Sequence, residues 1–195
     1  NMKIDLQFQK FIEWVNSKNL TNGIQLKTLK IHTLNNCGWM EYVEQESCSK
    51  EEEVKNFYIK SGILLGILYC FNSVDFHFEN IIACGEDPVL VDLETLFHPV
   101  IKNKILMDEN SAFHIARDFI KKSVAEIGLL PTKMKITKNN RVETIDVGAL
   151  SESKEQINIL KSLVLDNLNT DRLCLVYKKL PIKSKKNGLK IIGKR

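Results

Sequence analysis

Apolar residues recur at Phe8, Phe11, Ile12 and Val15, the i, i+3, i+4, i+7 spacing of one buried helix face, and predict a helix over Asp5–Asn19 closed by Asn22-Gly23. Ile24 to Leu34 is rich in β-branched residues with interrupted alternation. It reads as a strand, followed by a turn at Asn35-Asn36 and a second strand at Trp39 to Val43. Ser49-Lys50-Glu51-Glu52 has the capping-box pattern and predicts a helix start, with Ser49 accepting from a free N–H and Glu52 reaching back. The stripe then runs through Val54, Phe57, Tyr58, Leu64, Leu65, Leu68 and Tyr69, with Gly62 and Gly66 expected to flatten one face for close packing. Two short β-rich runs, Ile81 to Ala83 and Val89 to Val91, flank Gly85-Glu86-Asp87-Pro88 and predict a hairpin. Further on, Asp108 to Ile127 reads as a helix with Phe113, Ala116, Ile120 and Val124 on one side, closed by Gly128 and Pro131. Lys133 to Thr144 reads as two strands around Asn139-Asn140, and Glu155 to Leu168 as a short helix. The fold class is α+β, with no internal repeats and no long linker.

Composition narrows this picture little: 195 residues, 44% hydrophobic and 27% charged, describe an ordinary globular chain with one sizeable core. Charge changes more. The net +4 resides in the tail, because removing the eight Lys and Arg residues between Lys178 and Arg195 leaves −4. That tail reads as a solvated terminus rather than a nucleic-acid contact, since no aromatic is interleaved for base stacking. No run reaches the roughly 18 apolar residues of a membrane span, and NMKIDLQFQK lacks a signal-peptide core, so the expected location is cytoplasmic. Cys37, Cys48, Cys70, Cys84 and Cys174 are scattered, form no C-x-x-C pair, and read as free buried thiols.

The candidate chemistry lies between the long helix and the hairpin. Asp75, His77 and Asn80 form D-x-H-x-x-N, and the second hairpin run delivers Asp92 and Glu94. With Cys84 opposite Val89, Ile81 would face Asp92, and Asn80 and Asp92 would emerge at one end of the ladder, where facing residues lie about 5 Å apart. An amide oxygen and a carboxylate so placed can share a hard cation, and Mg²⁺ takes one or two carboxylates plus substrate phosphates. Glu94, two residues beyond Asp92, would share its strand face and supply a second acid for metal or substrate. Helix, loop with Asp and Asn, hairpin, then Asp is also the order in which kinases arrange hydroxyl-orienting and magnesium-holding groups.

The spacing D-x-H-x-x-N, continued as VDLETLFHP over 91–99, resembles the dehydratase domain of LanM-type (class II) lanthipeptide synthetases. Weaker likenesses are Gly38-Trp39-Met40-Glu41-Tyr42-Val43-Glu44, the acidic helix start Ser49 to Glu53, Gly128-Leu129-Leu130-Pro131 and Asn169-Thr170-Asp171. The resemblance implies an incomplete kinase-like, specifically lipid-kinase-like, core. Residues 1–44 would form a partial N-lobe, and 45–195 a partial C-lobe carrying the catalytic loop, the metal-binding hairpin and the basic tail 178–195. Glu44 to Ser47 would be the hinge, and Glu13, if not simply a surface acid, the helix acid that holds an ATP-binding lysine. Trp39 and Tyr42 would line the adenine pocket or, the better expectation, pack in the core. Implied cofactors are ATP and Mg²⁺. The implied partner is a ribosomally made precursor peptide, a leader plus a Ser/Thr/Cys-rich core, whose Ser and Thr are phosphorylated and then dehydrated by elimination.

On that reading Asp75 orients the Ser/Thr hydroxyl, His77 supports transition-state charge or proton movement, Asn80 and Asp92 hold ATP-bound magnesium, and Glu94 assists catalysis. No Gly-rich phosphate loop, H-E-x-x-H or G-x-S-x-G is present, so the chain is expected to be an internal fragment of the enzyme. A small-molecule or lipid kinase, and a non-catalytic peptide-binding remnant, are the alternatives.

Overall fold

The computed structural model describes residues 2–35, 37–99, 112–138, 141–150, 160–166 and 174–180. Helix α1, Lys3–Ser17, buries Phe8, Ile12 and Val15, the stripe read from the sequence, and leaves Glu13 exposed. Left-handed Asn19, Asn22 and Gly23 turn the chain after it. The expected strand from Ile24 is real only at β1, Ile31–Thr33, which pairs with β2, Gly38–Met40, through His32 opposite Trp39. Within 24–30, Leu26 and Leu29 find their partners on α1, while Lys30 pairs with Glu41. Asn16 holds Leu26 through both its amide nitrogen and its oxygen (2.8 and 3.0 Å), and the Gln9 side chain accepts from the Leu29 N–H at 2.9 Å. Helix amides thus replace a strand ladder. Trp39 and Tyr42, expected to pack in the core, are 59% and 87% exposed.

Helix α2, Glu51–Cys70, contributes Phe57, Leu64 and Leu68 to the core. Its capping acid is Glu53, not Glu52: the carboxylate accepts from the N–H groups of Ser49 (2.6 Å) and Lys50 (3.3 Å). An added Cβ at Gly62 or Gly66 would meet nothing within 4 Å, so these glycines serve no close packing. Tyr58 and Tyr69 are half exposed, while Lys60 is buried within the stripe.

Strands β3, Ile81–Cys84, and β4, Asp87–Leu90, form the expected hairpin in a register two residues tighter than predicted, with Cys84 opposite Asp87 and Ile81 opposite Leu90. The turn is only Gly85-Glu86, with Gly85 at φ 58, the glycine-first form that suits strand twist. Its tip is drawn onto α2 by Lys60, whose ammonium meets Glu86 at 2.8 Å and Asp87 at 2.7 Å, while Asn56 donates to Glu86 at 2.8 Å. The expected hinge backbone joins the same sheet: Glu46 N–H donates to Ala83 (2.9 Å), and Gly85 N–H donates to Glu46 (3.1 Å).

Helix α3, Ala112–Lys121, is shorter than predicted. It gives way at Ser123 to a 3-10 turn, Val124–Ile127, which alone delivers the buried Ile127. Ala116 and Ile120, expected on a packed face, are exposed. Residues 108–111 of that prediction lie outside the described residues. The excursion after Pro131 is the hairpin β5, Lys133–Lys138, with β6, Arg141–Asp146. Where a helix is expected over Glu155–Leu168, the described residues form strand β7, Leu160–Asp166, paired with β8, Cys174–Leu180, and 155–159 and 167–168 lie outside the described residues. The run Leu160, Leu163, Val164 fits helical spacing, yet its β-branched and apolar residues also suit a strand, and pairing with β8 decides. Lys178 and Lys179, assigned to a solvated tail, belong to that ladder; 181–195 and Asn169-Thr170-Asp171 lie outside the described residues.

Among the described residues two apolar clusters form, and the larger joins α1, α2, the β3–β4 hairpin and the two 3-10 turns. Phe8, Ile12, Leu26, Leu64, Leu68, Phe76, Ile81, Leu90, Leu93, Leu96, Ile127, Leu129 and Ala149 pack together, so both ends of the Asp75–Asn80 loop rest on the same apolar cluster. Cys48 and Cys84 are buried thiols as expected, but Cys37 and Cys70 are exposed.

Candidate active site

Helix α2 ends at Cys70, and the chain passes Asn72, left-handed at φ 52, before reaching Asp75, left-handed at φ 65. Three backbone contacts seat the loop that follows. Phe76 N–H donates to the Ile127 carbonyl at 2.7 Å, His77 forms an antiparallel bridge with Gly148, and Asn80 N–H donates to His77 at 3.0 Å. Phe76 itself is 1% exposed, an apolar anchor beneath two polar neighbours.

That seat requires two glycines. Gly128 sits at φ 86, and a Cβ there would lie 3.3 Å from the Phe76 backbone; a Cβ on Gly148 would lie 2.0 Å from the Leu130 carbonyl oxygen. The Gly128-Leu-Leu-Pro131 run, recognised in the sequence only as a helix closure and a weak likeness, thus passes directly against the loop. The signal that could have marked Gly148 is its place after Asp146, whose carboxylate accepts from the N–H groups of Thr132 (2.9 Å) and Gly148 (3.0 Å).

Asp75, His77 and Asn80 come together in one hydrogen-bonded turn. Asn80 is 8% exposed and its Nδ2 donates to the Asp75 carbonyl at 2.8 Å, which commits the amide nitrogen and leaves the oxygen for another partner. Glu79 N–H donates to His77 Nδ1 at 3.2 Å, so a neutral ring carries its proton on Nε2. Nε2 lies 3.7 Å from Asp75 Oδ1, and the Asp75 side chain is 63% exposed. An accessible carboxylate beside an imidazole N–H is therefore presented from a rigid base.

Asp92 approaches from the hairpin. Val91 N–H donates to the Asn80 carbonyl at 3.0 Å, the last rung before Asp92 turns left-handed at φ 58, ψ 66. The tighter register keeps Asn80 and Asp92 at one end of the ladder, one position out of direct opposition, as the predicted register did. The strand-face argument for Glu94 fails, because β4 ends at Leu90 and Glu94 lies on the 3-10 turn Leu93–Thr95; both acids are exposed. Thr95, unnoticed in the sequence, donates its hydroxyl to the Val74 carbonyl at 2.6 Å and so fixes the approach to Asp75.

Magnesium fits the donor set rather than a closed cage. Among the described residues no three His, Cys, Asp or Glu side chains cluster as a metal centre. One amide oxygen and one exposed carboxylate are donors of the kind taken by an ion that keeps substrate phosphates and waters as its other ligands.

Comparison with known proteins identifies the family. A family model described as "Domain of unknown function (DUF4135)" matches residues 1–195. The chain is also 35% identical over 133 residues to the lacticin 481/lactococcin biosynthesis protein LcnDR2 of Lactococcus lactis subsp. lactis, a match covering 65% of this chain and 14% of that protein. No helix among the described residues is long and apolar enough to cross a membrane.

Proposed function

This chain belongs to the DUF4135 family and is LanM-like, and from that premise we propose that it carries the phosphoryl-transfer centre of a lanthipeptide dehydratase. The parent enzyme phosphorylates Ser and Thr of a ribosomally made precursor peptide with Mg-ATP and then eliminates phosphate to leave dehydroalanine or dehydrobutyrine. One observation carries the reading: the three polar residues of D-x-H-x-x-N form a single turn with an accessible Asp75 carboxylate.

In this centre Asp75 receives and orients the substrate hydroxyl and accepts its proton as the oxygen attacks, a contribution worth roughly 10² to 10⁴ in rate. His77, with its proton on Nε2, donates toward the same region and steadies negative charge there. Asn80 Oδ1 and the Asp92 carboxylate hold the metal. Magnesium bound with ATP supplies neutralisation of the phosphate charge. Glu94 serves as a further acid on the exposed turn. The surrounding fold is a kinase-like core, with 1–44 contributing to one lobe and 45–195 to the other.

The test is mass spectrometry of a precursor peptide incubated with the parent enzyme and Mg-ATP. Loss of one water per modified residue is expected, and Asp92→Asn should abolish it. Accumulation of stable phosphopeptide would mean a kinase without elimination. No modification of any Ser/Thr peptide, with phosphorylation of a small hydroxyl compound instead, would overturn the peptide reading.

A further inference from the structure

We propose that Lys27 and Cys84 form an oxidation-dependent covalent cross-link, a sulfenamide joining lysine nitrogen to cysteine sulfur. Lys27 Nζ lies 2.9 Å from Cys84 Sγ, closer than an ordinary nonbonded contact, between residues 57 positions apart. Neither partner is loosely held. Cys84 is 6% exposed, and its backbone is paired on one side with Asp87 and on the other with Glu46. Lys27 follows Leu26, which Asn16 pins to α1 at both N–H and carbonyl; the Cys84 contact first, and then the carboxylates of Asp87 and Glu46, favour its protonated form, so the cross-link forms faster as pH rises.

The chemistry needs one external reagent, hydrogen peroxide. Attack of the Cys84 sulfur on peroxide forms the S–O bond of a sulfenic acid as the O–O bond breaks, and the thiol proton leaves with the second oxygen as water. Lys27 first gives one ammonium proton to solvent; its free amine then attacks that sulfur, an N–S bond forms, the S–O bond breaks, and the hydroxyl leaves as water with a second proton from the nitrogen. Sulfur is oxidised by two electrons, peroxide is reduced by two, and the product is two hydrogens lighter than the reduced pair. Sulfenic acids are trapped by the nucleophile already in place. Here that is Lys27. The other nearby thiol, Cys48, is fully buried and donates to the Gly85 carbonyl at 3.3 Å.

The bond would tie the segment after α1 to β3, the strand that begins at Ile81 directly after Asn80. Oxidation would therefore lock the N-terminal part of the chain onto the metal-binding hairpin, a restraint released by thiols.

The intact protein is treated with peroxide, alkylated, digested and mapped by mass spectrometry. A linked peptide containing Lys27 and Cys84, lighter than its two components by two hydrogens, is expected. It should vanish in Lys27→Arg and in Cys84→Ser, revert with dithiothreitol, and raise the thermal midpoint of the wild-type chain by several degrees but not that of either variant. Exposed Cys37 and Cys70 serve as internal gauges of oxidant reach. Four results would overturn the proposal: Cys84 carried to sulfinic acid with Lys27 free, a Cys48–Cys84 disulfide, a linked pair that retains an oxygen, or Cys84 unmodified where Cys37 is fully oxidised.

Discussion

Gly148→Ala puts the seating of the Asp75–Asn80 loop to its most direct test. The new Cβ would lie 2.0 Å from the Leu130 carbonyl oxygen, 2.7 Å from its carbonyl carbon and 2.8 Å from Pro131 Cα, all backbone atoms. The closest of these is roughly 1.5 Å inside ordinary contact, and no rotamer change can relieve it. Relief requires 147–150 to part from 128–132, which breaks Val147 N–H to Thr132 (2.9 Å), Ala149 N–H to Gly128 (3.1 Å) and Leu150 N–H to Leu129 (3.0 Å). At about 1 kcal/mol net for each hydrogen bond the loss is about 3 kcal/mol, the upper end of the usual overpacking range. That is a large fraction of a typical domain's stability. Urea denaturation followed by circular dichroism measures it, with Gly62→Ala as the control. At Gly62 nothing lies within 4 Å, and the helical gain should be about 1 kcal/mol. A Gly148→Ala chain within 0.5 kcal/mol (about the noise of surface substitutions) of wild type would refute the claim that this contact seats the loop.

Lys60→Met should cost about 2 kcal/mol: a buried pair broken on one side leaves Glu86 and Asp87 unpaired, discounted because both carboxylates reach water. The same pair gives stability a defined pH dependence, readable as the urea midpoint against pH and flattened in Lys60→Met. Hydrogen bonds from Lys60 and Asn56 hold Glu86 below its ordinary 4.5, so its contribution is present above that value and lost as pH falls through the lower folded one. Burial depresses Lys60, but its hydrogen bonds to Asp87 and Glu86 outweigh this and raise it, so its contribution persists below 10.5 and is lost as pH rises through the higher folded value. Ser73 is 3% exposed and its Oγ has no partner among the described residues, so Ser73→Ala should be neutral or stabilising by about 1 kcal/mol; a destabilisation of similar size would reveal a bound water. In the parent enzyme, Asp75→Asn should keep Mg-ATP affinity while peptide phosphorylation falls roughly 10² to 10⁴-fold, whereas Asp92→Asn should lose both, as calorimetry and peptide mass spectra would distinguish.

Residues whose fate depends on local spacing were legible. The α1 stripe, the long helix and the existence of the β1–β2, β3–β4 and β5–β6 hairpins all follow from patterns a few residues wide. What was not legible depends on partners distant in sequence. Residues 24–30 look like a strand because their composition is that of one, and the amides of Gln9 and Asn16 explain why Leu26 and Leu29 join no ladder. The observed hairpin register differs from the expected one because Asp87-Pro88 has the composition of a turn yet pairs with Cys84 and Ala83. Lys60, drawn by Glu86 and Asp87, shows that both residues flank or enter the turn on the α2 side. Glu94 was placed by strand periodicity, which ends when Asp92 goes left-handed, an event no pattern of apolar residues announces.

The left-handed backbone at both aspartates has a common origin. The segment before Asp75 pairs with the segment after Asp92: Thr95 donates to Val74, Phe97 N–H to Phe71 at 3.1 Å and His98 N–H to Asn72 at 3.2 Å. The segment after Asp75 pairs instead with the segment before Asp92, through Asn80 and Val91 and then the β3–β4 ladder. Each chain therefore leaves one pairing and enters another at its aspartate, and a positive φ is how the backbone changes direction there. Aspartate and asparagine tolerate that conformation better than other side-chain-bearing residues, at which it costs about 1–2 kcal/mol. The two positions consequently carry a backbone requirement as well as a chemical one. An alanine at either would mix the two effects, lowering stability along with turnover. Asparagine preserves the turn and removes only the charge, so a loss of phosphoryl transfer in an asparagine variant of unchanged denaturation midpoint belongs to the chemistry alone.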